Sequence, residues 1–353
     1  MRVGAIPEGL IERIVMRLGV APRPLIDTQM AFTLGRVIMA WADLGVFETL
    51  ADGPATAAEV AERLGTDPHA TEKLLFALAT SDYLRVRNER YELTKAARKW
   101  LLSSSPTDLT DKLRFQLMEW EWVGRTEEYV RTGRPMDIHH RSDPGVWDSY
   151  QRGMRAMAAS FSAEAVRRLP VPKGARDLLD IGGSHGYYSV ALCRRYEGLR
   201  AVVLDLPEAV EKAAPLLAAE GMGDRVVHRA GDALSDDLGE EDWDVVMIAQ
   251  VVHHFSEEQN RELAGRVARG LRPGGVYAIL DAFRPRHPGD AGQLPSLLEF
   301  YFALTSQSGT WTPEEMADWQ RGAGLAPKRA IRLRTVPGGG IQAAVKPVGS
   351  DAS

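Results

Sequence analysis

The chain is poor in cysteine and has no long apolar run. Cys193 is the single cysteine among 353 residues, so it cannot form an internal disulfide, which is typical of a protein from a reducing compartment. The N-terminal stretch MRVGAIPEGLIERIVMRLGV scatters charges through its length and lacks the apolar segment of a signal peptide. No stretch approaches the roughly 18 apolar residues that a membrane helix needs. We therefore expect a cytoplasmic protein that does not associate with membranes.

The chain also lacks an excess of positive charge. Its 43 Lys and Arg residues are outnumbered by 48 Asp and Glu residues, which gives a net charge of -5. Nucleic acids and anionic membranes attract basic surfaces, so the composition gives no general reason to expect either partner. A small molecule is the favoured partner.

Two helical stripes of apolar side chains occupy the N-terminal region. They are Leu10, Ile11, Ile14, Val15 and Leu18, followed by Val37, Ile38, Trp41 and Leu44. Helices this apolar do not stand alone in water. They pack either in the core of their own chain or on a second subunit.

A winged-helix pattern follows over residues 56–101. Thr56 and Glu59 have the spacing of a capping box, Asp67-Pro68 opens a second helix, and two short strands surround the turn RNER. Winged helices often bind DNA, so a transcription regulator is an alternative hypothesis. The second helix, however, has Asp67, Glu72 and Asp82 against a single Lys73, and acidic residues repel phosphate. The arginines of the wing keep the alternative open: Arg85, Arg87 and Arg90.

From residue 176 onward, apolar strands alternate with helical segments. The predicted strands span residues 177–182, 200–205, 225–229, 243–250 and 275–281. This alternation predicts a doubly wound α/β fold with a parallel sheet. A final hairpin, residues 328–334 and 340–346, is expected to add antiparallel strands at an edge. A helical, aromatic segment over residues 109–169 precedes the sheet, and its polar loop holds His139 and His140, which we expect to be solvated.

The stretch LLDIGGSHGYYSV, residues 178–190, predicts a strand, a tight turn and the start of a helix. It fits the nucleophile elbow of hydrolases, with Ser184, Asp232 or Asp244, and His253 in the order of a triad. Against a hydrolase, the turn follows the first strand of the sheet and no His-Gly oxyanion segment precedes it. A dinucleotide site is disfavoured because its glycine pattern would need glycine where Ser184 and Tyr187 stand.

Three acids after three successive strands favour S-adenosylmethionine (SAM). Asp180 comes before the glycine turn, and Asp205 ends the second strand, where a carboxylate can accept hydrogen bonds from both ribose hydroxyls. Asp232 follows the third strand, where it could accept from the adenine amino group. The carboxyl ends of these strands converge on one crevice of a doubly wound sheet.

These motifs resemble those of the class I SAM-dependent methyltransferases, specifically the small-molecule O-methyltransferase family of plant phenolic and bacterial natural-product enzymes. The resemblance covers nearly the whole chain: the winged-helix region, DIGGSHG, LDLPEAV, GDAL, VVHHFSEEQN and LRPGG. It implies a Rossmann-like methyltransferase domain, with a parallel sheet and an antiparallel edge hairpin, after a mostly helical winged-helix dimerisation domain. Ser184 departs from the family, which has a third glycine there.

The resemblance also implies domains and cofactor contacts. The expected domains are a dimerisation domain over residues 1–105, a helical connector lining the substrate site over 106–170, a SAM-binding domain over 171–348 and a tail over 349–353. The expected cofactor contacts are Asp180, Gly182, Gly183, Ser184, Gly186, Asp205, Leu206, Asp232, Ala233 and Gln250.

His253 lies just past the fourth predicted strand, and histidine is the usual residue to take a proton near neutral pH. In the family, a Leu-His-Asp-Trp stretch holds the base that deprotonates the acceptor hydroxyl, and His253 matches that base. Alternatively, His253 only shapes the cofactor pocket. Asp281 stands where the family has the carboxylate that orients the histidine. A second family carboxylate, in a Thr-Glu segment, is replaced here by Thr312-Pro313.

The segment YQRGM resembles the family's Phe-Asn-Arg/Lys-Gly-Met helix, which lines the acceptor and cofactor sites. The expected substrate contacts are Trp147, Tyr150, Met154, His254 and Phe302. An aromatic pocket implies a flat or apolar acceptor such as a polyketide, a phenol or an amino-acid-derived metabolite. No metal site is expected, because the side chains of adjacent histidines usually diverge and no further ligand has suitable spacing.

Family members pair as homodimers through their N-terminal helices, so we expect a homodimer here. Some relatives methylate carbon or nitrogen, or use the cofactor in decarboxylation or hydroxylation without methyl transfer. The sequence leaves these alternatives open.

Overall fold

The structure is a computed structural model that describes residues 3–136, 138, 144–287, 289, 292–336 and 338–348. His139, His140 and the expected tail, residues 349–353, lie outside the described residues. Contacts between residues divide the chain into two units, residues 2–120 and residues 121–353.

The first unit is mainly helical. Its elements are α1 (Leu10–Arg17), α2 (Arg23–Leu25), a π turn (Ile26–Met30), α3 (Ala31–Leu44), α4 (Val46–Thr49), α5 (Ala57–Leu64), α6 (Pro68–Ala79), β1 (Leu84–Arg87), β2 (Arg90–Leu93), α7 (Lys95–Trp100) and α8 (Thr110–Val123), which crosses the division. The predicted capping box is present, because the side chain of Thr56 accepts from the backbone of Glu59 and the Glu59 carboxylate accepts from the backbone of Thr56. Two helices and an antiparallel hairpin therefore form the expected winged helix.

The two apolar stripes of this unit differ in burial. Trp41 is fully buried in a cluster with Phe47 and Leu50. By contrast, Leu10 and Ile11 on α1, and Leu18 just after it, are 70%, 78% and 71% exposed, and no residue of α1 is buried. The first stripe is thus an uncovered apolar surface of the single chain.

The second unit is an α/β domain. Its elements are α9 (Thr126–Thr132), α10 (Pro144–Arg168), β3 (Asp177–Ile181), α11 (Tyr187–Arg195), β4 (Arg200–Asp205), α12 (Pro207–Ala219), a 3-10 turn (Gly223–Arg225), β5 (Val226–Ala230), β6 (Trp243–Ala249), a second 3-10 turn (Val252–His254), α13 (Glu257–Gly270), β7 (Leu271–Ala282), α14 (Gln293–Thr305), α15 (Pro313–Gly322), β8 (Ala326–Pro327), β9 (Ile331–Arg332) and β10 (Gly339–Val345).

The strands form one sheet in the order β5-β4-β3-β6-β7-β10-β8, with β9 also paired to β10. β3 to β7 are parallel and β10 is antiparallel to β7, as the sequence predicts. The order of the strands reverses direction between β3 and β6, so a crevice opens outside the carboxyl ends of these two neighbours. The glycine turn follows β3 and the His253 segment follows β6.

The parallel strands are buried on both faces, which explains their nearly continuous apolar sequences. In β3, Leu178 packs into the cluster on one face of the sheet, and Leu179 and Ile181 pack into the cluster on the other. Cys193 is a buried free cysteine, and burial raises the pKa of its thiol to about 11. It is therefore an apolar packing residue and not a nucleophile.

Within the described part of the chain, no helix is long and apolar enough to cross a bilayer. The same residues contain no group of three or more His, Cys, Asp or Glu side chains that could hold a metal ion.

Candidate functional site

The glycine turn after β3 leaves no room for side chains. Gly182 has φ +64°, and a Cβ added there would lie 2.7 Å from Val251 Cγ2. A Cβ on Gly183 would lie 2.5 Å from Cγ of Asp180 and 2.8 Å from Cγ1 of Val203. The bare backbone of the turn is therefore packed directly on the ends of β3 and β4 and on the segment after β6.

Asp180 is a buried acid beneath this turn. Its Oδ2 accepts from Ser189 Oγ at 2.7 Å, whereas its Oδ1 has no hydrogen-bond partner among the described residues. Burial, reinforced by the nearby charge of Asp205, raises the pKa of Asp180 to about 7. An acceptor that is buried and unpaired points to a ligand with a donor at this position.

Asp205 ends β4 beside the turn. Its Oδ2 accepts from the backbone N–H of Ser184 and its Oδ1 from that of Leu206, each at 2.8 Å. Burial raises the pKa of Asp205 to about 6. Leu206 next to it is 37% exposed, so the carboxylate has an apolar neighbour on the open side.

Asp232 and Ala233 lie in the loop after β5, which adjoins Asp205. The N–H of Gly231 donates to the backbone carbonyl of Asp205 at 2.9 Å, and Oδ1 of Asp232 accepts from the N–H of Leu234 at 2.8 Å. Asp232 is exposed, and the carbonyl of Ala233 accepts from Arg266. The structure thus brings the three predicted acids to one edge of the sheet, although Asp232 is the most open of them.

Ser184 is not arranged as a nucleophile. Its Oγ donates to Oε1 of Gln151 on α10, and its backbone carbonyl lies 2.8 Å from Nε2 of His228. His253 is paired with Asp281, and Asp244 accepts from the backbone N–H groups of Arg176 and Asp177. The hydrolase triad considered from the sequence is therefore not assembled in the structure.

His253 and Asp281 form a buried pair across β6 and β7. Nδ1 of His253, in the 3-10 turn after β6, lies 3.0 Å from both carboxylate oxygens of Asp281 in β7. The two residues are 2% and 1% exposed. Donation from Nδ1 to the carboxylate fixes the tautomer in which Nε2 carries the lone pair, so Nε2 can accept a proton.

The backbone around His253 is held by two distant side chains. The carbonyl of Val252 accepts from Nδ2 of Asn260 and from Nε1 of Trp311, each at 3.0 Å. Gln250 before it adopts φ +58° and donates its N–H to the carbonyl of Leu280 at 2.8 Å. These contacts anchor the turn on α13, on β7 and on the segment before α15.

The predicted acceptor residues fall into two groups. The rings of Phe302 and His254 lie 4.0 Å and 4.2 Å from that of His253, measured between centroids. Trp147 and Tyr150 make an edge-to-face contact at 5.6 Å on α10, and Met154 lies one turn further along this helix, half-buried. Phe302 and His254 thus adjoin His253, and the three α10 residues lie on the helix whose Gln151 contacts the glycine turn.

The acids near Thr312 do not replace the missing family carboxylate. Glu314 pairs with Arg286 on the surface, and Glu315 caps α15 and pairs with Arg284. Glu299 on α14 is a further half-buried carboxylate of this region: it accepts from the N–H of Thr310 at 3.1 Å, and burial raises its pKa.

Side chains that the sequence did not indicate also reach the turn and the His253 segment, among them Gln151, Ser189 and Trp311. Gln151 lies between Tyr150 and Met154 in the YQRGM motif. Ser189 had no signal beyond lying two residues after Tyr187, on the helix that follows the turn. Trp311 lies 59 residues from the carbonyl that it binds, so only the fold brings the two together.

Comparison with known proteins identifies the family of the chain. A family model described as the O-methyltransferase domain matches residues 108–326, and one described as the O-methyltransferase dimerisation domain matches residues 26–103. The chain belongs to the O-methyltransferase family. This O-methyltransferase is 29% identical to the 3-hydroxy-5-methyl-1-naphthoate 3-O-methyltransferase of Streptomyces sahachiroi, over 92% of this chain and 95% of that relative. It is 26% identical to the N,N-dimethyltransferase OxyT of Streptomyces rimosus, over 92% and 96% of the two chains.

Solved structures have the same fold. Human N-acetylserotonin methyltransferase in complex with SAM matches the O-methyltransferase with a TM-score of 0.81 at 20% identity, covering 97% of this chain and 99% of that one. PigF with S-adenosylhomocysteine (SAH) matches with a TM-score of 0.76 at 25% identity, covering 92% and 99%.

SAM is the cofactor of this enzyme, and the residues at the turn fit it. The unpaired Oδ1 of Asp180 can accept from an ammonium group. Each oxygen of Asp205 accepts one backbone N–H and has a second lone pair that can accept from a hydroxyl group of a ligand.

Proposed function

We propose that the enzyme transfers the methyl group of SAM to a hydroxyl oxygen of a small aromatic or polyketide-like natural product, with His253 as the general base. The observation that carries the proposal is the pair of 3.0 Å contacts between His253 Nδ1 and the two oxygens of Asp281. A histidine merely lining a pocket does not need a buried carboxylate partner.

The chemistry divides between the cofactor and the chain. Bound SAM supplies a methyl group on a positively charged sulfur, which is already activated for displacement. Nε2 of His253 takes the proton of the acceptor hydroxyl as its oxygen bonds to the methyl carbon, and the electrons of the breaking carbon–sulfur bond remain on sulfur. Asp281 holds the imidazole in the accepting tautomer and stabilises the imidazolium that forms. The remaining task of the protein is alignment of the reactants.

The acceptor class follows from the rings near His253. Phe302 lies 4.0 Å from the His253 ring, and an aromatic wall beside the base favours a flat acceptor. The relative from Streptomyces sahachiroi is named for a hydroxynaphthoate, which is such a molecule. We also propose that SAM is contacted by the glycine turn and by Asp205, Leu206, Asp232, Ala233 and Gln250. The proposed acceptor contacts, besides Phe302, are Trp147, Tyr150, Met154 and His254.

The chain carries a dimerisation domain. We propose that two copies pair through the uncovered apolar surface around α1 to form a homodimer.

The deciding experiment supplies methyl-labelled SAM and a panel of hydroxynaphthoates and phenols, each paired with an analogue whose hydroxyl is blocked as a methyl ether. We expect a labelled methyl ether and an equal amount of SAH from the free hydroxyl compounds, and no product from the blocked ones. A labelled methyl group on carbon or nitrogen would show that the enzyme does not methylate the hydroxyl oxygen. Acceptor conversion without SAH would exclude methyl transfer altogether.

A further inference from the structure

Two buried polar atoms at the glycine turn have no hydrogen-bond partner among the described residues. One is Oδ1 of Asp180 and the other is Nε2 of Gln151. Gln151 is 0% exposed and Asp180 is 1% exposed. Leaving a buried donor or acceptor unpaired costs about 1–3 kcal/mol, so a pair of them at one turn indicates groups that a ligand satisfies.

In the structure, Ser184 contacts the oxygen end of the Gln151 amide. Oε1 of Gln151 accepts from Ser184 Oγ, and Nε2 is the end of the amide that has no partner among the described residues. The backbone N–H of Ser184 binds Asp205 in turn, so the amide is tied to the cofactor side of the turn. Ser184 is the residue that departs from the family's third glycine, and the hydroxyl added there is the one that holds Gln151.

Arg155, on the same helix as Gln151, is engaged with other side chains. Arg155 lies one helical turn after Gln151, and its guanidinium binds the carboxylate of Glu220 and stacks over the ring of Tyr187. Because the Arg155 guanidinium already has partners, it does not compete with the neutral Gln151 amide for a negative ligand group at the turn.

We propose that Nε2 of Gln151 donates to the carboxylate of the methionine portion of SAM, while Oδ1 of Asp180 accepts from its ammonium group. The donor and the acceptor match the two charges of an α-amino acid. This inference rests on the proposed SAM contacts of the turn, and it makes Gln151 a binding residue and Ser184 the residue that positions it.

The test compares SAH with 5′-methylthioadenosine, which keeps the adenosine and sulfur but lacks the amino-acid group. Calorimetric titrations use wild type, Gln151→Leu and, as a matched control, Gln320→Leu. Gln320 is also 0% exposed, but it binds Gln342 and the carbonyl of Tyr277 away from the turn. We expect Gln151→Leu to weaken SAH binding about 10-fold and to leave methylthioadenosine binding within about twofold, and Gln320→Leu to leave both within that range.

Gln151→Glu tests the sign of the ligand group. A carboxylate partner predicts a larger loss of SAH affinity, about 100-fold, with methylthioadenosine again unchanged. If the Gln151→Glu variant bound SAH as tightly as wild type, residue 151 would face the ammonium group and not the carboxylate. If both ligands were weakened equally, Gln151 would have a structural role. Either result would overturn the inference about Gln151 and leave the other proposed SAM contacts standing. If the wild-type protein bound neither ligand, both the SAM contacts proposed for the turn and the inference about Gln151 would be wrong.

Discussion

Nδ1 of His253 is equidistant from the two carboxylate oxygens of Asp281, at 3.0 Å from each, and both residues are buried. The pair joins the segment after β6 to the neighbouring strand β7, so the sheet itself sets the distance. Ala282 also donates its N–H to Asp281 Oδ1 at 2.7 Å, which restricts rotation of the carboxylate. The imidazole is therefore held in one orientation before any acceptor arrives.

His253→Ala removes the proposed base but no contact with the glycine turn. We expect kcat to fall by roughly two orders of magnitude or more while the dissociation constant of SAM stays nearly unchanged. Turnover assays and calorimetry on the same preparation measure both quantities. The control is His69→Ala, at an exposed position of α6. Wild-type turnover in the His253 variant would reduce this histidine to a pocket residue.

Asp281→Asn keeps the size of the side chain but removes the charge that faces the imidazole. We expect kcat to fall at least about 10-fold with KM for the acceptor little changed, because the charge acts mainly as the imidazolium forms. Asp318→Asn, at a 54% exposed side chain on α15, is the matched control. A rise in KM at unaltered kcat would instead assign Asp281 to substrate binding.

Asp180→Asn tests how the buried acid beneath the glycine turn affects the free energy of unfolding. The pKa of Asp180 is raised from 3.8 to about 7 in the folded chain, chiefly by burial. Because a raised folded pKa penalises the ionised acid, wild type gains stability as pH falls from about 7 towards 4. The Asn variant lacks this titration, so it should be more stable than wild type at pH 8, by about 1–4 kcal/mol, and the difference should shrink as pH approaches 4.

Urea unfolding of both proteins at pH 8, 6 and 4.5 measures this difference directly. The charge of Asp205 contributes to the raised pKa of Asp180, so the difference between the two free energies of unfolding includes this coupling as well as the burial of Asp180. The same variant should bind SAM more weakly, since an amide is a poorer acceptor for an ammonium group. A constant difference across the pH range would argue against the raised pKa.

The polar residues that end the parallel strands could be predicted from the sequence. Asp205 and Asp281 follow or end apolar strands, and a parallel sheet brings such positions to one edge whatever the details of packing. The same argument identified His253 and the glycine turn. The parallel strands were also predictable, because their apolar sequences are bounded by polar and glycine-containing turns.

Contacts between distant elements could not be predicted in this way. Gln151 reaches the turn because α10 packs on α11 and α12, and no periodicity within α10 reports which neighbour it meets. Asn260 and Trp311 both bind the carbonyl of Val252, yet in sequence they are a helix residue and a loop aromatic. Of the predicted strand at 328–334, only β9 (Ile331–Arg332) is a strand in the structure, and β8 (Ala326–Pro327) lies just before the predicted range. Between the two, the carbonyl of Lys328 accepts from the Gln342 side chain.

Gly183→Ala tests the close packing of the turn. Gly183 has no positive φ, so the effect of a methyl group comes only from its contacts with Asp180 at 2.5 Å and Val203 at 2.8 Å. We expect a loss of roughly 1–3 kcal/mol in stability and weaker SAM binding. The control is Gly198→Ala, where an added Cβ meets nothing within 4 Å and which should stay within about 0.5 kcal/mol of wild type. Similar unfolding curves for the two variants would show that the turn can relax.

The double substitution Ile11→Glu, Leu18→Glu tests the proposed dimer surface. In the single chain, α1 has eight residues and none of them is buried. A helix this short is only marginally stable without packing, so its apolar side chains need a partner. Burying each such side chain contributes about 1.5–3 kcal/mol, and a symmetric pair buries every substituted position twice. We therefore expect the dissociation constant of the dimer to rise at least about 100-fold in sedimentation experiments. The control is Val348→Glu, because Val348 is also an exposed apolar residue, at 72%. This substitution should leave the dissociation constant of the dimer unchanged. If the double variant stayed as dimeric as this control, the pairing surface would have to lie elsewhere on the chain.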